Sequence, residues 1–120
     1  MSAGVVTFDP FVQGTESAVA ELRREAVSAI ARQQRLLEEL EAIRTRAGAI
    51  ERQASRALAR GDDLLGRQIL ARGMFTLQTR DALEAGLAEA RGQVCRLLTT
   101  MVRVENRAWQ ATSAVSLWRR

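Results

Sequence analysis

From Val19 to Ala57, twelve positions of this chain follow one another in strictly alternating steps of three and four residues: Val19, Leu22, Ala26, Ala29, Gln33, Leu36, Leu40, Ile43, Ala47, Ile50, Ala54 and Ala57. Only Gln33 among them is polar. A mean step of about 3.5 residues keeps every one of these side chains on one stripe of an α-helix, and a stripe held for so many heptads is the seam of a coiled coil. A proline could interrupt it, because proline lacks the backbone N–H that a helix interior needs. The only proline is Pro10, so nothing from Phe11 to Arg120 has to break a helix for that reason.

The first seam ends in a cluster of helix-stop and helix-start residues. Arg56 and Arg60 fall in a last turn, where cations oppose the negative end of the helix dipole. Gly61 suits the left-handed residue that follows a helix, and Asp62 and Asp63 suit the cap of a new one. A second seam then steps by four and three through Leu83, Leu87, Ala90, Val94, Leu97, Met101, Val104, Ala108, Ala111 and Val115, with a looser phase between Leu65 and Leu77. The expected fold is all-α. It is a long antiparallel two-helix coiled-coil hairpin over residues 15–120, turning near 61–63, with helices of roughly 45 to 50 residues reaching about 70 Å. Residues 1–14, with Gly4, Pro10 and Gly14, read as a short mobile N-terminal arm holding at most one helical turn capped by Asp9. Two alternatives stay open. One helix can run through Gly61, since a single glycine costs only about 1 kcal/mol in a helix interior, and exchange about Gly61 can open the hairpin into an extended dimer. Gly66, Gly73, Gly86 and Gly92 mark a close approach of the other helix, a bend, or drift on a solvent face.

Residue chemistry points away from catalysis. Histidine, tyrosine and lysine are absent, which removes Ser-His and Cys-His pairs and imidazole metal sites. No glycine-rich phosphate loop is present, and no cofactor or metal is expected. The single cysteine, Cys95, follows the seam residue Val94 and reads as a packed, inert thiol. With one cysteine and no basic-then-apolar leader, a cytoplasmic protein is expected. Glu38, Glu39 and Glu41 diverge around a helix and have Arg35 and Arg44 within reach, so they read as a solvated face.

Charge is unevenly placed. Residues 1–43 carry four arginines against seven acids, residues 44–72 seven against three, and residues 103–120 four against one. Arg52, Arg56 and Arg60 lie four apart, a like-charge ladder that costs a helix a few tenths of a kcal/mol per pair unless something anionic faces it. With Arg67, they form the candidate surface for assembly or for an anionic partner. The acidic third of another copy, an anionic lipid surface and a nucleic-acid backbone all qualify, as do arginines simply solvated over the turn. Nucleic acid is the weakest, because no aromatic residues interleave the ladder. Trp109 and Trp118, followed by Arg119 and Arg120, form either an interfacial tail or, meeting Phe8 and Phe11, the packed base of the hairpin. No apolar run approaches the roughly 20 residues that cross a bilayer, so membrane contact is expected to be peripheral, at the inner face of the cytoplasmic membrane.

The run Ala57-Leu58-Ala59-Arg60-Gly61-Asp62-Asp63-Leu64-Leu65-Gly66-Arg67-Gln68-Ile69-Leu70 resembles the hairpin tip of the phage shock protein A family, which includes the vesicle-inducing protein of plastids. Leu65, Arg67 and Leu70 match its Leu-x-Arg-x-x-Leu pattern, and Asp62 and Asp63 stand near its acids. The resemblance covers roughly residues 19 to 112. It implies a non-enzymatic bacterial relative of the membrane-remodelling ESCRT-type superfamily that polymerises through staggered hairpins. Residues 1–14 lack the basic residues of that family's amphipathic N-terminal helix, and the helices that follow its hairpin are missing after Arg120. A homo-oligomer, or co-assembly with a full-length relative, is therefore expected. The alternative is a soluble coiled-coil adaptor or chaperone like the stalk hairpins of type III secretion ATPases.

Overall fold

The computed structural model describes residues 10–118, with side chains from 13 to 114 and at 118. It contains two helices, α1 (Pro10–Ala59) and α2 (Asp63–Trp118), packed as an antiparallel hairpin, with no strand among the described residues. Helix α1 begins at Pro10, where the sequence allows a helical turn, and it continues through the expected boundary at Thr15, so residues 10–14 are helical. Proline is tolerated in a first turn, where its missing N–H has no intrahelical acceptor, and Gly14 is carried inside the helix. Asp9, Phe8 and the rest of the expected arm lie outside the described residues, as do Arg119 and Arg120.

The turn is built from backbone hydrogen bonds. The Asp62 N–H donates to the carbonyl of Ala57 at 2.9 Å and the Gly61 N–H to that of Leu58 at 3.0 Å, the paired pattern of a Schellman end. This closure needs a left-handed residue, and Gly61 supplies it with φ at 79°. Asp62 then starts α2. Its Oδ1 accepts from the Leu65 N–H at 3.1 Å and its carbonyl accepts the first helical bond, from Gly66, also at 3.1 Å. Asp63 occupies the first position of α2, where an acid favours the positive end of the dipole. The continuous-helix alternative is excluded by these bonds, which satisfy the end of one helix and the start of the next.

Packing divides the chain into two units, one spanning residues 31–91 and the other joining residues up to 30 with those from 92 on. In the 31–91 unit the buried residues are Leu40, Ala47, Ala54 and Ala57 from α1 and Gly66, Gly73, Leu87 and Ala90 from α2. Leu40 is the one large side chain fully buried among the described residues. In the other unit only Ala26 and Ala29 are buried among the described residues, and from Val94 to Ala111 each seam residue of α2 is half-buried. All twelve positions of the first seam are buried or half-buried, and every buried residue of α1 lies on it.

The expected loosening of the second seam between Leu65 and Leu77 does not occur. Counting back from Leu83 in the same rhythm gives Arg80, Thr76, Gly73, Ile69 and Gly66, and each of these is buried or half-buried. The stripe is unbroken but its occupants are small or polar. At two of them the helices approach closely: a Cβ on Gly73 would lie 2.6 Å from Ile50 Cγ2, and one on Gly66 2.9 Å from Leu58 Cδ2. Gly86 has only ordinary spacing to Leu36, at 3.9 Å, so it needs no special explanation.

Two stability measurements check this account. Gly73→Ala is expected to lose about 1 to 3 kcal/mol in urea denaturation, because overpacking against branched Ile50 outweighs alanine's helix advantage of about 1 kcal/mol. Gly14→Ala, which meets nothing within 4 Å, should gain up to about that 1 kcal/mol. At the turn, Asp62→Ala should cost about 1 kcal/mol through the lost cap. Asp63→Ala should cost less, because it removes only a charge near the helix end.

Candidate assembly surface

The heptad phase of the seams sorts the outward residues into two edges. On one edge of the 31–91 unit, Arg44 of α1 pairs with Glu84 of α2 at 3.6 Å. Arg80, on the seam itself, reaches across to Glu51 and also bonds Asp81 at 3.1 Å. These bonds, Glu51 first, raise the Arg80 pKa, with its partial burial opposing them. The side chain is 23% exposed, so its stem fills the seam while the guanidinium is satisfied at the rim. Sequence reasoning missed Arg80; the signal was the backward heptad count from Leu83. Arg44 had been expected to serve the Glu38, Glu39, Glu41 face, but it turns to the other helix, since an antiparallel neighbour offers Glu84 at the flanking position. Those three glutamates are exposed. No group of three His, Cys, Asp or Glu among the described residues is placed to hold a metal ion.

Arg52, Arg56, Arg60 and Arg67 are all exposed, and none makes an ion pair with a described residue. The ladder thus has no described acid to offset its like charges, and it runs from Arg52 and Arg56 on α1 to Arg60 in the turn. Its half of the unit, residues 44–79, carries seven arginines against three acids, whereas residues 31–43 and 80–91 together carry four against six. Folding thus draws positive charge to the end that holds the turn and leaves a negative belt behind it. Exposed apolar side chains accompany the arginines: Leu58, Leu64, Met74 and Phe75, the last 80% exposed.

In the other unit, Arg23 and Glu105 face each other at 4.0 Å. Beside them an open groove of about 450 Å³ is lined by Val19, Ala20, Ala108 and Trp109, with Glu16 and Thr112 at its rim. Trp109 is 70% exposed. Trp118 is 89% exposed, and Phe8 and the Phe11 side chain, its partners in the packed-base alternative, lie outside the described residues. In the antiparallel register its level on α1 falls before Pro10, outside the described residues. Cys95 is exposed and not packed, contrary to expectation. The reason is geometric, since the neighbour of a seam residue on a helix points about 100° away from it.

Comparison with protein-family models, with curated proteins and with solved structures finds no match to the chain. Among the described residues no helix is long and apolar enough to cross a membrane. The class defined by the fold is therefore the two-helix coiled-coil hairpin, bearing a basic end and exposed apolar faces.

Arg52 lies four residues before Arg56 but outside the last turn of α1, so Arg52→Gln removes a repulsion without taking a cation from the negative end of the helix. Thermal unfolding of dilute protein at low salt should show a gain of a few tenths of a kcal/mol that fades as salt is raised. A loss at low salt would mean that an acid in the same chain pairs with it.

Proposed function

We propose that this protein is a non-enzymatic self-assembling coiled-coil hairpin whose basic turn end engages the acidic belt of another copy. The observation that supports it is the division of charge within the 31–91 unit, together with four arginines that make no ion pair with a described residue. A lone exposed ion pair is worth about 0 to 1 kcal/mol, so one contact between copies is weak. Repetition along a polymer multiplies it. A heterologous contact, in which one end of a subunit meets a different region of the next, propagates into open filaments unless the rotation closes a ring.

The resemblance of residues 57–70 to the phage shock protein A tip fits this reading. In the hairpin, Leu65 and Leu70 are half-buried while Arg67 is exposed, so the Leu-x-Arg-x-x-Leu pattern has two packing residues and one for a partner. On that analogy the polymer works at the inner face of the cytoplasmic membrane, alone or together with a full-length relative. Leu64 and Phe75, exposed among arginines, are the residues that would meet an anionic lipid surface.

Sedimentation at low and high salt, with and without anionic liposomes, tests the proposal. Large particles that shrink as salt rises are expected, and Arg56→Glu with Arg60→Glu should abolish them. Mixing that variant with one carrying Glu38→Arg and Glu39→Arg should restore particles that neither forms alone. A species no larger than a dimer, indifferent to salt and to liposomes, would overturn assembly and favour the soluble adaptor.

A further inference from the structure

The unit that joins residues up to 30 with those from 92 on lacks a finished core. Among the described residues its α2 seam is nowhere fully buried, and its buried α1 residues are two alanines. Large apolar side chains remain outside instead: Val27 63%, Ile30 42%, Leu98 39%, Val102 52% and Trp109 70% exposed. They occupy one side. The Arg23–Glu105 pair and the groove beside it show which flanks of α1 and α2 share that side. From Arg23, Ile30 is one heptad along α1, and from Glu105, Leu98 is one heptad back along antiparallel α2, so the two stand at one level. Val27 and Val102 fall between. In the other direction Ala20 precedes Arg23 by three residues and Trp109 follows Glu105 by four, and both line the groove. Apolar residues at the seam and at one flank make the wider stripe of a bundle helix, not the narrow seam of an isolated pair.

We infer that this face is where a second copy of the chain packs, related by a two-fold axis parallel to the helices, to close a four-helix bundle. Such an axis sets α1 of each copy against α2 of the other at the same level. Each Trp109 then lies over the small Ala20 of the other copy, Val27 meets Val102, Ile30 meets Leu98, and Arg23 meets Glu105. The five large apolar residues and the Arg23–Glu105 pair each find a complement, as an isologous interface requires, while Glu16 comes level with Thr112. At the exposures given, five such side chains offer roughly 500 Å² of apolar surface per copy, near the top of the roughly 300–600 Å² of a monomer's largest patch. With its polar rim that area approaches the about 800 Å² per partner of a stable complex. An anionic membrane is the poorer occupant, because the groove carries Glu16 and Glu105 against the single cation Arg23.

This inference rests on self-assembly but uses an apolar contact, so salt separates the two. The full chain should remain a dimer in sedimentation equilibrium at high salt, where the charge-driven particles have dispersed. Val102→Arg, at an exposed site, should weaken the dimer at least about tenfold with helicity unchanged by circular dichroism. To read the geometry, Val27→Cys and Val102→Cys chains, each also carrying Cys95→Ser, are oxidised separately and mixed. A disulfide in the mixture joining the two different chains is expected, with little in either alone. Disulfides formed by each variant with itself would mean copies running in opposite directions and would overturn the axis. A monomer at high salt would overturn the interface while leaving the low-salt polymer standing. A monomer whose liposome binding is lost in Val102→Arg would assign the face to lipid and overturn the second copy as occupant.

Discussion

Everything in this hairpin depends on the few hydrogen bonds between Ala57 and Gly66 that reverse the chain. The Schellman closure spends the last carbonyls of α1, and Asp62 serves at once as the residue after one helix and the cap of the next. No slack loop intervenes, so the reversal fixes the register in the 31–91 unit. Leu58 comes opposite Gly66, Ile50 opposite Gly73, and Leu36 beside Gly86. A coiled-coil seam alone does not choose between these pairings and the next heptad along; a tight turn does.

The seam that this register brings together is built from small residues. Alanine and glycine provide most of its buried positions, with Leu40 and Leu87 as the large exceptions. Small side chains let two helix axes come close, since the separation is set by what stands between them. They also remove little apolar area from water, at about 25 cal/mol per Å², so two helices alone gain little. Large apolar residues that the seam does not use, among them Val27, Val102 and Trp109, are on the outside.

Charge completes the picture. Helix-to-helix ion pairs satisfy Arg44 and Arg80 in the 31–91 unit and Arg23 in the other, while the ladder at Arg52, Arg56 and Arg60 pairs with no described acid. Apolar and ionic surfaces therefore have different salt dependence, the one insensitive and the other screened within about 10 Å at 0.1 M salt. Assembly through both would proceed in separable steps.

The first seam, the turn and the basic character of its end were legible from residue spacing, because a helix converts steps of three and four directly into one face. The second seam was legible only from Leu83 onward. Before it, Gly66, Gly73, Thr76 and Arg80 hold seam positions that hydrophobicity cannot reveal, and only the closeness of Ile50 and Leu58 shows why glycine stands there. Cys95 is exposed where the sequence suggests packing, because adjacency to a seam residue along the chain does not supply a neighbour to pack against. The sequence by itself determined that the chain is helical, that any reversal falls at Gly61 to Asp63 and which stripe turns inward, since these follow from local backbone geometry and side-chain periodicity. Only the tertiary structure decided which arginines find acids, how near the helices come and which apolar residues stay uncovered. Those depend on what lies across the pair, at positions far apart in the chain.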